Sequence, residues 1–274
     1  MGASVVERLV RFSLVTHDRE ALAGFYERAF GFHRESAGRC ALARSITIVL
    51  GSERIELVEF DVPGDPYPTG QTCADLGFQH FALVVTNIAA AFRRLRAVSG
   101  WTPISRAGPV QLPQASGGVT AFKFRDPEGH PLELLEFPPG AVPARWRTAD
   151  RDGRCLGIDH SAISVRDTAR SVAFYRAWGL HETQRTLNRG IEQDQLDALS
   201  EVSVEVTALE FAAGGPHLEL LCYRSPPHST DARISDNAVA ATRLVLQRIP
   251  AAFSSPEAQT VADPDGHHLL MTAG

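Results

Sequence analysis

Alternating apolar and polar positions mark two similar stretches of the chain. Residues 12–18 alternate as a β-strand does and end in an aspartate, after which apolar residues recur at helical spacing through Phe25 and Tyr26. The same order returns at residues 161–167 and continues to Phe174 and Tyr175. The pattern therefore predicts an internal duplication, in which each half of the chain begins with a strand followed by a helix.

A shorter repeat lies inside each half. His80 opens another alternating stretch, which runs into a helical pattern at residues 88–98. Hairpins are predicted at residues 122–137 and 260–271, because each contains an Asp-Pro pair and a glycine between two apolar strands. We count four strand–helix–strands units, called modules 1 to 4, at about residues 8–60, 77–137, 157–223 and 237–272. Module 4 is too short for a full helix together with its strands.

These motifs resemble the vicinal oxygen chelate superfamily, which includes glyoxalase I, extradiol dioxygenases and bleomycin-resistance proteins. The resemblance is carried by the opening strand and helix with Phe25 and Tyr26, by residues 80–85, and by the hairpin at residues 126–134. It implies an α+β fold in which four βαβββ modules form two tandem glyoxalase-like domains with cupped mixed sheets. We assign residues 1–138 to domain 1, the Pro/Gly-rich residues 139–154 to a linker, and residues 155–274 to domain 2.

The resemblance also implies one divalent metal ion, with two ligands from each of two paired modules. Position by position, module 2 offers His80 and Glu133, and module 3 offers His160 and Glu219. Two imidazoles and two carboxylates suit an ion such as Zn, Ni, Co, Mn or Fe. His217 shares a strand face with Glu219 and is a candidate lining residue, substitute ligand or hydrogen-bond partner of a ligand.

Modules 1 and 4 depart from this pattern. Module 1 has Arg11 at the histidine position and Glu56 at the later one, and module 4 has Thr242 and Leu270. Arginine stays protonated and cannot coordinate a metal, so we interpret Arg11 and Glu56 as an ion pair in a lost site, or Arg11 as a group for an anionic substrate. Because all usable ligands lie in modules 2 and 3, we favour pairing of module 2 with 3 and of 1 with 4 over pairing in chain order.

Family chemistry implies a metal-dependent lyase, isomerase or epimerase acting on a small α-hydroxy or α-keto compound through a metal-stabilised enediolate, with Glu133 as the general base. One alternative is an extradiol-type Fe(II) dioxygenase with a triad of two histidines and one carboxylate. Neither half alone supplies that triad. The other alternative is a non-catalytic, resistance-type protein that binds a small molecule without metal. The polar segment at residues 188–197 lies where the family has a variable loop over the site, and it is a substrate contact or a plain surface loop.

Composition narrows the class of protein further. A net charge of −5 gives no general attraction to nucleic acid or anionic membranes, and no apolar run reaches the roughly 20 residues of a membrane span. The four cysteines show no Cys-x-x-Cys spacing, which indicates reduced packing residues. We therefore predict a cytoplasmic monomer or homodimer that binds a small-molecule substrate. Lys123 is the one lysine beside 26 arginines, which we interpret as codon bias of a GC-rich genome.

Overall fold

A computed structural model describes residues 5–148, 152–227, 234–249 and 259–273. The strands of these residues are β1 Val6–Val15, β2 His33–Arg39, β3 Ala43–Leu50, β4 Glu53–Phe60, β5 Gln79–Val85, β6 Thr102–Pro103, β7 Val110–Gln111, β8 Thr120–Arg125, β9 Pro131–Glu136, β10 Cys155–Ser164, β11 His181–Arg189, β12 Ser203–Glu210, β13 His217–Ser225, β14 Arg243–Arg248, β15 Gln259–Ala262 and β16 His268–Ala273. The α-helices are α1 Arg19–Phe30, α2 Ile88–Arg96, α3 Thr168–Ala177 and α4 Ile191–Asp197.

The first helix of modules 1, 2 and 3 begins after a side chain that caps it. Asp18, Asn87 and Asp167 each have extended backbone, and each accepts a hydrogen bond from a backbone N–H in the first turn of its helix. Such a cap satisfies one of the N–H groups that a helix leaves unpaired at its start. The polar residue between strand and helix, visible in the sequence, therefore fixes where α1, α2 and α3 begin.

The strands form two mixed sheets, and each sheet takes strands from both halves of the chain. Sheet 1 has the order β15-β16-β14-β1-β4-β3-β2 and combines modules 1 and 4. Sheet 2 has the order β11-β12-β13-β10-β5-β9-β8-β6, with β7 paired to β8, and combines modules 2 and 3. At the centre of sheet 2, β5 and β10 run antiparallel, while each runs parallel to the last strand of its own module. The α+β fold and the exchanged pairing of modules are confirmed.

One continuous apolar core joins the two sheets. It contains the apolar faces of α1, α2 and α3 together with alternate residues of the central strands. Phe12 of β1 and Phe81 of β5 lie with their ring centroids 5.2 Å apart, so the sheets contact each other through the faces that carry the helices. The opposite face of sheet 2 is free to line a cavity.

Two hydrogen-bond clusters tie the duplicated motifs together. The hydroxyl of Tyr26 donates to Asp126 in the module 2 hairpin, and the hydroxyl of Tyr175 donates to Asp263 in the module 4 hairpin. The buried ring of His130 contacts both Asp126 and the carbonyl oxygen of Val15. The repeated tyrosine therefore links modules within a half, whereas the strands link modules across halves.

The ranges 1–138 and 155–274 do not correspond to single sheets, and their description as separate domains stays a prediction. A helix of module 4 would fall at residues 250–258, which lie outside the described residues. None of the helices in the described ranges is long and apolar enough to cross a membrane.

Candidate metal centre

His80 and Glu133 meet on neighbouring strands of sheet 2. Strand β9 runs parallel to β5 with Glu133 beside Ala82, which brings its side chain to the same face as His80. The Nε2 atom of His80 lies 2.9 Å from Oε2 of Glu133, and both side chains are buried. Neither ring nitrogen of His80 has hydrogen-bond geometry to any group in the described part of the chain. A buried imidazole is thus held in direct contact with a carboxylate.

His160 and Glu219 form the matching pair in module 3. Strands β10 and β13 are parallel, with Glu219 beside Ala162, and His160 Nε2 lies 3.6 Å from Glu219 Oε2. Because β10 is adjacent to β5, the rings of His160 and His80 come together with their centroids 5.7 Å apart. Residues from the two halves of the chain therefore share one cavity.

Three of these side chains could hold one ion. His80, Glu133 and His160 each offer a ligand atom, and the three atoms lie within 4.8 Å of one another. Glu219 approaches His160 but is outside this group of three. The donors fit the implied divalent metal, because imidazole and carboxylate suit borderline ions and the buried nitrogens of His80 have no hydrogen-bond partner among the described residues.

Asp159 and His217 extend the cluster on one side. Asp159 Oδ2 lies 3.3 Å from Nδ1 of His160 and 3.8 Å from Nδ1 of His217. The other oxygen of Asp159 accepts hydrogen bonds from the indole of Trp146 and the guanidinium of Arg145. A carboxylate on one imidazole nitrogen orients the ring and leaves the other nitrogen for an ion. Asp159 and Trp146 are not among the site residues predicted from the sequence, although Asp159 directly precedes His160 and Trp146 is the one tryptophan of the predicted linker.

The electrostatics differ between the two histidines. Burial lowers the pKa of His80, and the charges of Lys123 and His160 lower it further, so the ring is neutral and keeps a lone pair. Burial also acts to lower the pKa of His160, but the carboxylates of Glu219 and Asp159 outweigh it and raise this pKa to about 9. The protonated ring of His160 carries a positive charge beside the carboxylates of Glu219 and Asp159.

The two glutamates are held as carboxylates. Burial acts to raise the pKa of Glu133, but His80 and Lys123 bring it below its ordinary value. Burial has the same effect on Glu219, where His160 and His217 lower the pKa to about 2. Anionic oxygens at these two positions are the state that a cation requires.

The cluster lies at the floor of a cavity of about 290 Å³. Lys123 is part of this floor and is 4% exposed, so the chain's one lysine is beside the candidate ligands. Its interpretation as codon bias missed this position. The remaining lining consists of apolar and neutral polar side chains, among them Leu112, Val119, Leu135, Phe137, Leu196, Val204, Val206, Gln184, Thr186, Asn188 and Gln193.

Helix α4 closes part of this cavity, in the segment where the sequence indicated a variable loop. It belongs to module 3, yet its last residue, Asp197, forms a buried ion pair of 2.7 Å with Lys123 of module 2. Asp197 also accepts hydrogen bonds from Gln193 and from the hydroxyl of Tyr223. The hydroxyl of Ser105 donates to the carbonyl oxygen of Leu196. The helix is therefore a fixed wall of the cavity rather than a surface loop.

Among the residues that the structure describes, sheet 1 brings together no comparable ligand set. Arg11 Nε lies 3.0 Å from Glu56 Oε2, so the two residues form the ion pair that the sequence suggested. The strand register corrects one position in module 4. Ala162, two residues after His160, is opposite His80, and Ser13, two residues after Arg11, is opposite Arg243. Arg243 rather than Thr242 therefore occupies the histidine position of module 4. Arginines therefore replace both histidines.

We expect the protein to bind one divalent ion per chain, because an arginine cannot act as a ligand at either position of sheet 1. Elemental analysis of protein dialysed against a low concentration of Zn²⁺ or Co²⁺ measures this ratio. A second tightly bound ion that is retained when His160 is replaced by alanine would contradict the assignment of a lost site to sheet 1, since Asp159, His160 and His217 form the other possible ligand group of sheet 2.

The fold and part of the sequence are similar to those of known proteins. Residues 8–134 match the model of the Glyoxalase/Bleomycin resistance protein/Dioxygenase superfamily. Glyoxalase I from Zea mays has a similar structure, with a TM-score of 0.63 at 15% identity, over 97% of this chain and 92% of that one. A putative dioxygenase from Bacillus subtilis has a TM-score of 0.60 at 12% identity, over 99% of this chain and 86% of that one.

The two mixed sheets, each made of strands from both halves of the chain, have the fold of glyoxalase-like proteins. Residues 8–134 match the glyoxalase/bleomycin resistance protein/dioxygenase superfamily, and the likeness of fold extends over both halves of the chain. No curated protein sequence matches the chain. At the identities found, the solved structures show the fold alone.

Proposed function

We propose that the protein is a metal-dependent, glyoxalase-like enzyme that acts as a lyase, isomerase or epimerase on a small α-hydroxy or α-keto compound. The observation that carries the proposal is the convergence of His80, Glu133 and His160, from two halves of the chain, in one buried cavity. His80, Glu133, His160 and Glu219 would hold the ion. When bound, a divalent ion supplies Lewis-acid polarisation of two vicinal oxygens of the substrate.

The chain's own residues would then position the substrate and move a proton. Glu133 is the candidate general base, because it is an anionic carboxylate in the cavity wall, next to the imidazole of His80. Glu219 is less suited, since its carboxylate also contacts His217 at 3.4 Å. The apolar wall of the cavity excludes water from the carbon that loses its proton. A small-molecule substrate fits this volume, and the site needs no second chain.

Replacing Glu133 by glutamine is expected to slow exchange of the substrate's C–H proton by about 100-fold or more, because an amide cannot accept that proton. The exchange is measured by NMR in D₂O on a panel of small α-hydroxy ketones with the metal-loaded protein. Glu210→Gln, an exposed glutamate at the end of β12, is the matched control. Equal exchange rates in wild type and Glu133→Gln would remove Glu133 from this role.

An extradiol-type dioxygenase is a second candidate function. The pairing of module 2 with module 3 in sheet 2 favours this candidate more than the sequence alone does. Neither half supplies two histidines and a glutamate at the family's ligand positions, but sheet 2 brings His80 and His160 together with Glu133. That set has the composition of the Fe(II) facial triad, which leaves positions open. A coloured ring-cleavage product from a catechol, formed in air by the Fe(II)-loaded protein, would support it.

The variant Glu219→Gln separates the two candidates. In a four-ligand glyoxalase-like site, loss of this carboxylate is expected to weaken Zn²⁺ or Co²⁺ binding by about tenfold or more. A facial triad made only of His80, Glu133 and His160 would keep its metal affinity within about twofold. Competition with a chromophoric chelator measures the affinity in both proteins.

A further inference from the structure

Lys123 is a cation in the cavity that the candidate metal site does not use. Strands β8 and β9 pair Lys123 directly with Glu133, so both side chains are on the cavity face of sheet 2. Among the described residues that line the cavity, Lys123 is the one side chain, apart from the histidines, that can carry a positive charge. Its ammonium is therefore next to the place where substrate oxygens would be bound.

The ammonium group has hydrogen-bonding capacity left over. It makes a single hydrogen bond within the described residues, to Oδ1 of Asp197 at 2.7 Å. Asp197 in turn accepts from Gln193 and Tyr223 on its other oxygen, which fixes the carboxylate in place. A lysine has three N–H donors, and a buried donor without an acceptor is costly. Two donors of Lys123 are thus available for a group inside the cavity.

We propose that Lys123 binds a carboxylate of the substrate, so that the compound on which the enzyme acts is an α-hydroxy or α-keto acid. This inference rests on the proposed function and deepens it by naming the substrate class. Hydrogen bonds between an ammonium and a carboxylate are stronger than those to a neutral oxygen. The polar side chains that β11 adds to the cavity lining, Gln184, Thr186 and Asn188, are neutral and do not compete for the anion. Asp197 holds the ammonium of Lys123 in position, and the same ion pair keeps α4 next to Lys123.

The test uses two probes of equal size, glycolate and glycolamide, both of which carry vicinal oxygens but only the first of which is an anion. The Co²⁺-loaded protein is titrated with each probe, and binding is followed by the visible absorption of the cobalt. In the wild type we expect tighter binding of glycolate. Lys123→Met is expected to weaken the binding of glycolate by about tenfold or more and the binding of glycolamide by less than about threefold. Equal losses for both probes, or no loss for either, would overturn the inference.

A matched control separates substrate binding from the attachment of α4. Arg106 is exposed and donates a hydrogen bond to the carbonyl oxygen of Leu199, just after α4. Arg106→Gln therefore removes a cation that contacts the α4 segment, and it leaves the cavity lining unchanged. This variant should keep the wild-type preference for glycolate. If it loses the preference as Lys123→Met does, the effect belongs to the segment and not to the ammonium.

A second variant guards against misfolding, because Lys123→Met leaves Asp197 as a buried charge without its partner. Lys123→Met combined with Asp197→Leu removes both charges, and it should fold and show the same loss of glycolate preference. Failure of the wild type to take up Co²⁺ would overturn the proposed function alone. The probes would then be titrated calorimetrically on the metal-free protein, where identical glycolate affinities in wild type and variant would overturn the role of Lys123.

Discussion

Alanine at His80 is expected to abolish tight metal binding, with a loss in affinity of more than about 100-fold, and alanine at His160 is expected to do the same. The physical reason is that the two imidazoles face one ion from adjacent strands, with ring centroids 5.7 Å apart, so each variant removes a donor from the same set. Elemental analysis after dialysis, together with competition against a chelator, measures the effect in both variants.

The control for these two variants is His33→Ala, which removes an exposed histidine of β2 on the other sheet. Its metal content should equal that of the wild type. If either His80→Ala or His160→Ala retained a full equivalent of metal, the shared site would be wrong. Absence of tightly bound metal from the wild type, with small-molecule binding indifferent to chelators, would instead favour the non-catalytic alternative.

Alanine at Asp126 is expected to lower the free energy of unfolding by about 3 kcal/mol or more, the largest stability effect that we expect from a single polar substitution. This carboxylate is fully buried and accepts from the hydroxyl of Tyr26, the ring of His130, and the backbone N–H groups of Glu128 and His130. Its removal leaves buried donors unpaired at the junction of modules 1 and 2. Denaturant unfolding followed by circular dichroism measures the change.

Two comparisons test the cause of that effect. Asp263→Ala interrupts the equivalent network around Tyr175 and should destabilise the protein by a similar amount. Asp61→Ala removes an exposed carboxylate paired with Arg39 and should change the free energy of unfolding by less than about 0.5 kcal/mol. A loss at Asp126 no larger than the loss at Asp61 would show that the hairpin cluster contributes little to stability.

The sequence predicted the α+β modules and their pairing because these follow from short-range periodicity and from where ligand-type residues occur. Alternation identified the central strands, and aspartates identified the helix starts. The exchanged pairing followed from the positions of the ligand-type residues, all four of which lie in modules 2 and 3. Their role as metal ligands stays a prediction, which the geometry now supports.

The features that the sequence did not predict depend on contacts between distant residues. Lys123 and Asp197 are 74 positions apart, and only the folded sheet shows that they form an ion pair in the cavity. Trp146 is in a segment that resembles a linker by composition, yet it contacts Asp159. The assignment of Thr242 was wrong by one position, because module 4 has no intact motif from which to count. Strand register, which places Arg243, is a property of the sheet.

The presence of both halves in one chain has a consequence for how substitutions affect the two sheets. In a symmetric dimer of identical subunits, any substitution of a ligand alters both sites at once. Here Arg11 and His160 occupy equivalent positions in one chain, and each is encoded separately. A substitution can therefore replace a histidine in sheet 1 while the histidines of sheet 2 stay unchanged. Assembly of the remaining centre is also a unimolecular event, and its completeness does not depend on how concentrated the protein is.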